Sequence, residues 1–329
     1  MKARMTLLAA TILVCVCLVV SPAKSQEPTE AVSTWPSCPV RIIVPLGPGS
    51  GLDLAARLFA ERLAERWGQP VLVENRAGAD GIVGVSAFLS AEPSETLLFS
   101  LSAPYVLNPF THKSLPYDPK RDLVPLSAGT EGGAAIAISA TLPETSLKEI
   151  IASVRERPGR IFWTATPGFA EMLFSALLKN EHLEMTFVSY KDVATPLQDL
   201  AQGRLHLMVT GLSTIQPQLA SGKARLLAVQ NSNRSFAAPA VPTVAEVGYP
   251  SLSFESVFGF YGRRELPVAL RNKISSDVQS VGKNPDLVAR LAAMGQTVCA
   301  GSPEAFLTKL ERQRATAANA VATLGLKPQ

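Results

Sequence analysis

The chain has 329 residues, 47% of them hydrophobic and 18% charged, enough apolar material for about two domains of ~150 residues with true cores. Its formal net charge is +4, but Lys2, Arg4 and Lys24 stand in the first 25 residues with no acid beside them. A single net positive charge remains for the rest, and no Lys/Arg run interleaved with aromatics occurs, which excludes a nucleic-acid footprint.

The chain opens as an export signal. Lys2 and Arg4 precede the apolar run Thr6–Val20, which is short for a membrane span, and Ala23-Lys24-Ser25 is a small-x-small cleavage site. Cleavage is expected after Ser25, with a periplasmic destination; the alternative is an uncleaved anchor. A lipoprotein start at Cys15 or Cys17 is disfavoured by bulky Val14 and Val16. Two cysteines then remain, Cys38 and Cys299. In an oxidising compartment they permit one disulfide, or stay two separate thiols.

Val40–Val44 reads as a buried strand. It breaks at Pro45 into the loop Gly47-Pro48-Gly49-Ser50-Gly51-Leu52-Asp53, and a helix follows from about Leu52 to Trp67. Three glycines let the backbone approach a ligand closely, and a helix start presents unpaired N–H groups at the positive end of its dipole. Together they suit a carboxylate or phosphate. Leu52, Ala56, Phe59, Leu63 and Trp67 share one helical face, and Gly68 and Pro70 stop the helix. Val71–Glu74 is a second strand, so the chain begins β-loop-α-β, the start of a parallel sheet. The glycine loop Asn75–Gly81, a helix over Ile82–Ala91 and a strand over Thr96–Ser100 follow. Ser102–Pro109 is expected as loop, and Leu115–Pro119 forms turns.

Ala134–Ser139 is a strand, and Ser146–Glu156 a helix with Ser146 as candidate N-cap. Ile161–Ala165, Thr166-Pro167-Gly168 and a helix over Phe169–Asn180 repeat the strand, Pro/Gly loop, helix order of the first loop. Thr186–Val188, a helix over Thr195–Gln202, Leu205–Val209 and Leu226–Val229 continue an α/β pattern. Phe254–Tyr261 reads as a strand returning between two lobes. Helices follow at Val268–Val281 and Leu287–Gly295, and Ser302-Pro303-Glu304 caps a last long one. The whole is expected as two α/β lobes built around the two loops.

Enzyme signatures are thin. In a dinucleotide fold the third glycine would fall at Leu52, and Asp53 would meet the pyrophosphate. No Lys follows Gly51, so a P-loop fails. His112, His182 and His206 have no metal-ligand partner at helical spacing, and Ser50 lacks the nucleophile-elbow register. A tight turn with no ligand is the plain alternative for Gly47–Asp53. No cofactor and no metal are expected.

Trp35-Pro36-Ser37-Cys38-Pro39-Val40-Arg41-Ile42-Ile43-Val44-Pro45, then Pro48–Asp53, Gly68-Gln69-Pro70-Val71 and Val73–Ala79 form a specific series. Asn108-Pro109, Leu115–Pro119, Tyr190-Lys191, Ala220–Val229 and Val241–Gly248 extend it along the whole mature chain. This series resembles the Bug (TctC-like) family, the periplasmic substrate-binding proteins of tripartite tricarboxylate transporters. The resemblance implies two Rossmann-like lobes joined by crossing strands, expected at 38–131 with 253–329 and at 132–252. It implies a monomeric, non-enzymatic receptor that closes over a small organic acid or amino acid and docks on transporter membrane subunits. By resemblance the carboxylate is held by backbone amides of Gly47–Asp53 and of Ala165-Thr166-Pro167-Gly168-Phe169. Ser102, Ala103, Tyr105, Tyr190 and Lys191 are implied to line the cleft.

Two departures bear on the ligand. Leu52 stands where the family usually carries a hydroxyl before the Asp, and Glu171 puts a negative charge in the first turn of the second helix. With Phe169 in the loop, a ligand with one carboxylate and an apolar or aromatic portion is expected. Asp53 is read either as a helix cap or as a partner for a ligand ammonium, and Lys191 as solvated or as a secondary carboxylate partner. An orphan sensor and an exported enzyme are the rival functions.

Overall fold

A computed structural model describes residues 35–325; the expected export signal and its expected cleavage after Ser25 lie outside the described residues. The chain runs β1 (Val40–Val44), α1 (Gly51–Trp67), β2 (Val71–Asn75), α2 (Ile82–Ser90), β3 (Thr96–Leu101) and β4 (Val124–Gly132). It continues with β5 (Ala134–Ser139), α3 (Leu147–Glu156), β6 (Phe162–Ala165), α4 (Phe169–Asn180) and β7 (Thr186–Phe187). Next come α5 (Ala194–Ala201), β8 (Leu207–Gly211), α6 (Leu212–Ala220) and β9 (Ala224–Val229). It closes with β10 (Ser256–Gly262), α7 (Val268–Val281), α8 (Pro285–Ala293), β11 (Thr297–Val298) and α9 (Pro303–Leu324).

These strands build two sheets. The first has the order β11-β4-β10-β3-β1-β2, the second β7-β6-β8-β5-β9. In the first, β2, β1 and β3 are parallel and β10 joins β3 antiparallel. In the second, β7, β6 and β8 are parallel and β5 joins β8 antiparallel. Each lobe thus repeats a parallel trio bordered by an antiparallel strand. The loop after the middle strand of each trio, β1 or β6, opens at the carboxyl end of the sheet, where ligands of open α/β folds gather.

The chain crosses between lobes twice, from β4 to β5 through Gly133 and from β9 to β10. A Cβ on Gly133 would lie 2.6 Å from the Asn231 backbone nitrogen, so the two crossings are pressed together and glycine is required there. One apolar cluster covers α1, α7 and α8 on the first sheet, with Phe59, Phe99 and Phe260 fully buried. A second runs without a break from Tyr261 and Phe306 in the first lobe to Trp163 and Phe174 in the second. Helix α9 packs on both β4 and α4, so it is shared by the lobes.

One expectation needs correction, two elements were left unassigned, and one open alternative closes. Ser102–Pro109 is not irregular: it forms short helical turns at Ala103–Val106 and Asn108–Thr111, with the Val106 amide donating to Ser102 O at 2.9 Å. The nine-residue strand β4 and the helix α6 were not foreseen. Cys38 and Cys299 are both free. Cys38 precedes β1 and Cys299 follows β11, four strand spacings apart, or about 19 Å. A disulfide needs Cα atoms within about 7 Å. Burial, reinforced by Glu131, pushes the Cys299 thiol up to about 12.

Candidate ligand site

The loop after β1 is held mainly by its own contacts. Ser50 caps α1, its hydroxyl accepting from the Asp53 amide at 3.2 Å. The Asp53 carboxylate accepts from the Gly49 amide at 2.9 Å and from Asn75 Nδ2 at 3.0 Å, and pairs with Arg57 at 2.9 Å. Asp53 is 2% exposed and every polar contact it makes is structural. Gly49 reverses the chain with φ +78°. The Gly51 amide donates to Thr214 Oγ1 of α6, in the other lobe, at 3.3 Å. Gln296 Nε2 donates to Gly51 O at 2.9 Å, and Thr130 Oγ1 donates to Gln296 Oε1 at 2.7 Å. Among the described residues, the amides of Gly47 and Leu52 meet no protein acceptor.

The loop after β6 is built differently. The Thr166 amide donates to Val209 O at 2.9 Å, and Thr166 Oγ1 lies 3.0 Å from Thr210 Oγ1. Gly168, at φ +101°, turns the chain into α4 and lies so close to Ala103 of the first lobe that a Cβ would come within 3.1 Å. No side chain caps α4. The amides of Phe169, Ala170 and Glu171 meet no protein acceptor among the described residues, so this helix keeps its N-terminal donors available.

Two chambers lie between the lobes, on either side of Thr166 and Pro167. The larger, about 260 Å³, takes Leu46, Ser50 and Asp80 from the first lobe. From the second it takes Ala165, Thr166, Pro167 and Glu171, the apolar Phe187, Val193, Pro196 and Met208, and the polar Tyr190, Thr210 and Thr214. Its lining holds the acids Asp80, Glu171 and Asp192 and no Lys, Arg or His. Burial, with Asp80 adding to it, pushes the Glu171 carboxyl up to about 7. Asp192 caps the start of α5, accepting from the Thr195 amide at 2.7 Å, which holds it below the usual carboxylate range. Tyr190 OH donates to Asp199 Oδ2 at 2.8 Å; burial first, then Asp199, pushes the phenol up to about 12. The smaller chamber, about 70 Å³, is walled by Ala103, Phe169, Ala170 and Phe254 and reached by Gln230 from the second crossing. Phe169 and Phe254 stack with centroids 4.1 Å apart.

Of the residues expected at the site, Ser50, Ala103, Ala165, Thr166, Pro167, Phe169 and Tyr190 line these chambers. Gly47 approaches the opposite lobe, where a Cβ would lie 3.6 Å from Val193. Pro48 and Gly49 are exposed on the rim, and Gly51 contacts the other lobe directly. Leu52, 1% exposed, turns into the core beside Phe59. Ser102 is fully buried, and Tyr105 stacks on Tyr261 at 6.0 Å, away from the chambers. Lys191 is exposed and outside the lining. Sequence reasoning missed Phe187, Asp192, Met208, Thr210, Thr214 and Gln230; Asp80 lay inside a glycine loop already noted but unassigned.

Two lobes of matched topology, with a cavity at the carboxyl ends of both sheets, define a solute receptor of the periplasmic-binding-protein type. The model of the tripartite tricarboxylate transporter family receptor matches residues 55–324, and the chain belongs to that family. A UPF0065 protein of Bordetella bronchiseptica is 30% identical over 92% of this chain and 90% of its own length. Protein BugT of Bordetella pertussis is 30% identical over 87% and 89%. A structure from R. palustris, solved with adipate, superposes with a TM-score of 0.85 at 27% identity, covering 90% of this chain and all of that one.

Proposed function

We propose that this chain is an exported, non-enzymatic receptor that captures a small organic acid between its lobes and presents it to the membrane subunits of a tripartite tricarboxylate-type transporter. The observation that carries this reading is the inter-lobe cavity beside α4, whose N-terminal amides are left without protein acceptors. The adipate in the R. palustris neighbour supports a carboxylate ligand.

The ligand is proposed to bear one carboxylate and an apolar or aromatic portion. The larger chamber offers Phe187, Val193, Pro196 and Met208 to an apolar body. Its three acids, unrelieved by any cation in the lining, would repel a second or third carboxylate placed among them. An amino acid is the second candidate: an ammonium would sit between Asp80 of one lobe and Glu171 of the other and relieve their repulsion. Ligand bridging the lobes would favour the closed arrangement already tied by Gly51 and Thr214.

A thermal-shift screen of the protein against mono-, di- and tricarboxylates, aromatic acids and amino acids tests this. A ligand at 100 times its dissociation constant adds about 2.7 kcal/mol, a rise of several degrees. A monocarboxylate or amino acid should give the largest rise. A flat response to every acid refutes the receptor reading, and a response to a di- or tricarboxylate without an amino group above all others refutes the single-carboxylate reading.

A further inference from the structure

The smaller chamber is walled chiefly by apolar residues, among them Leu101, Phe169, Phe254 and Phe258, and one buried side-chain donor in its lining stands unmatched. Gln230 is 1% exposed, and its Nε2 has no hydrogen-bond partner. Its backbone is fully engaged, the amide donating to Ala134 O at 2.8 Å and the carbonyl accepting from the Phe254 amide at 2.9 Å. The residue is therefore fixed at the hinge while its side-chain donor remains unmatched. A buried amide left in that state is costly, and native structures supply such groups with an acceptor. In the same chamber stand Phe169 and Ala170, the first two residues of α4, whose amides also lack protein acceptors. No acidic residue lines this chamber, in contrast to the larger one.

We propose that the ligand carboxylate binds in this smaller chamber, between the N-terminus of α4 and Gln230 Nε2, and that Gln230 is a carboxylate-recognising residue. A helix end carries the equivalent of about half a positive charge, and a neutral amide donor adds a directed bond to it. A volume of about 70 Å³ accommodates a carboxylate and little more. The rest of the ligand then passes Thr166 and Pro167 into the larger chamber, beside Phe187 and Met208. This polarity keeps the anion away from Asp80 and Glu171. It also anchors the ligand at the crossing strands, since Gln230 lies one residue from Asn231, against which Gly133 is pressed. The assignment rests on the receptor reading above and gives the ligand its direction in the cavity.

The test compares hexanoate, adipate and hexanamide on the wild-type protein, Gln230→Met and Gln230→Asn by calorimetry, with ligand-free melting as the folding control. Methionine keeps the side-chain length without the donor; asparagine keeps the donor but withdraws it by one carbon. Hexanoate should bind the wild type better than hexanamide. Gln230→Met should weaken hexanoate about tenfold or more and leave hexanamide within about twofold, and Gln230→Asn should fall between. Equal loss of acid and amide, or hexanoate affinity unchanged in both variants, overturns the role of Gln230 while leaving the receptor intact. If the wild type binds neither acid, the comparison passes to the acid with the largest thermal shift, and an affinity for it unchanged in Gln230→Met overturns the role of Gln230; only a wild type that binds no acid at all overturns both readings.

Discussion

Replacing Glu171 by glutamine should make the protein more stable at pH 8 and less sensitive to pH. In the folded chain burial and Asp80 move the Glu171 carboxyl from 4.5 to about 7. Between those values the folded state holds a proton that the unfolded state has released. Its contribution is therefore fully present below about pH 4.5 and is lost as the pH rises through about 7. Each pH unit of such a change is worth about 1.4 kcal/mol, so the loss has a ceiling of about 3 kcal/mol, and relaxation of a partly accessible side chain lowers it to about 1–2 kcal/mol. Glutamine carries no charge at either pH. Melting curves of both proteins at pH 5, 6, 7 and 8 read this directly. Wild type should lose several degrees across the series relative to Glu171→Gln. Parallel curves, or a variant less stable than wild type at pH 8, would refute the reasoning.

Other perturbations follow from the same geometry. Asp53→Asn should retain ligand affinity within about threefold while losing about 1–3 kcal/mol of stability, because an amide cannot accept from Gly49 and Asn75 and pair with Arg57 at once; urea denaturation and calorimetry measure the two separately. Gly51→Ala places a Cβ 2.7 Å from Ser213 Oγ of the opposite lobe, so closure should weaken, ligand affinity should fall about tenfold, and small-angle scattering should show a larger radius of gyration; wild-type affinity would count against a closed ligand-bound state. Gly259→Ala drives a Cβ within 2.2 Å of the Phe306 ring and should cost about 2–3 kcal/mol in urea, with no change in ligand rank order. A thiol reagent should label Cys38 faster than Cys299 on the native protein, because both thiols are half-buried but that of Cys299 is pushed up to about 12, and unfolding should remove the difference.

Much of this architecture is legible in the residues. Val40–Val44 is apolar except for Arg41 and flanked by Pro39 and Pro45, and it became the parallel strand β1. The helices Phe169–Asn180 and Val268–Val281 fall where apolar periodicity and turn residues put them. Strand β4 escaped because Val124-Pro125-Leu126-Ser127-Ala128-Gly129 carries a proline and a glycine, which read as loop residues. It is a strand because β10 and β11 pair with it, and Gly129 is small because Phe99 lies against it. Helix α6 contains Pro217, which hid it, and with it Thr214 went unnoticed. The loops around Gly47–Asp53 and Ala165–Phe169 were legible as backbone devices. Which amides they keep for a ligand was not, since that depends on Thr214 arriving from 163 residues away and on Ser50 and Asp53 closing on their own loop. Gln230 carried no local signal at all: an isolated glutamine after a strand looks like any surface residue until the crossing buries it.

The sheet order also dictates when each lobe can fold during synthesis. The second sheet is complete once Val229 has been made, since all five of its strands lie between Ala134 and that residue. The first sheet is not. Its strand β4 has only β10 and β11 as neighbours, and β10 is also the partner of β3, so the middle of that sheet stays open until Gly262 emerges. Phe258 and Leu101 must find each other across the whole of the other lobe. The inserted lobe therefore matures first, and the lobe begun earliest waits for a strand made late. Such late, non-local pairing is slow. During that wait β3 and β4 expose unpaired edges, the condition under which a chain depends on prompt delivery and on chaperones.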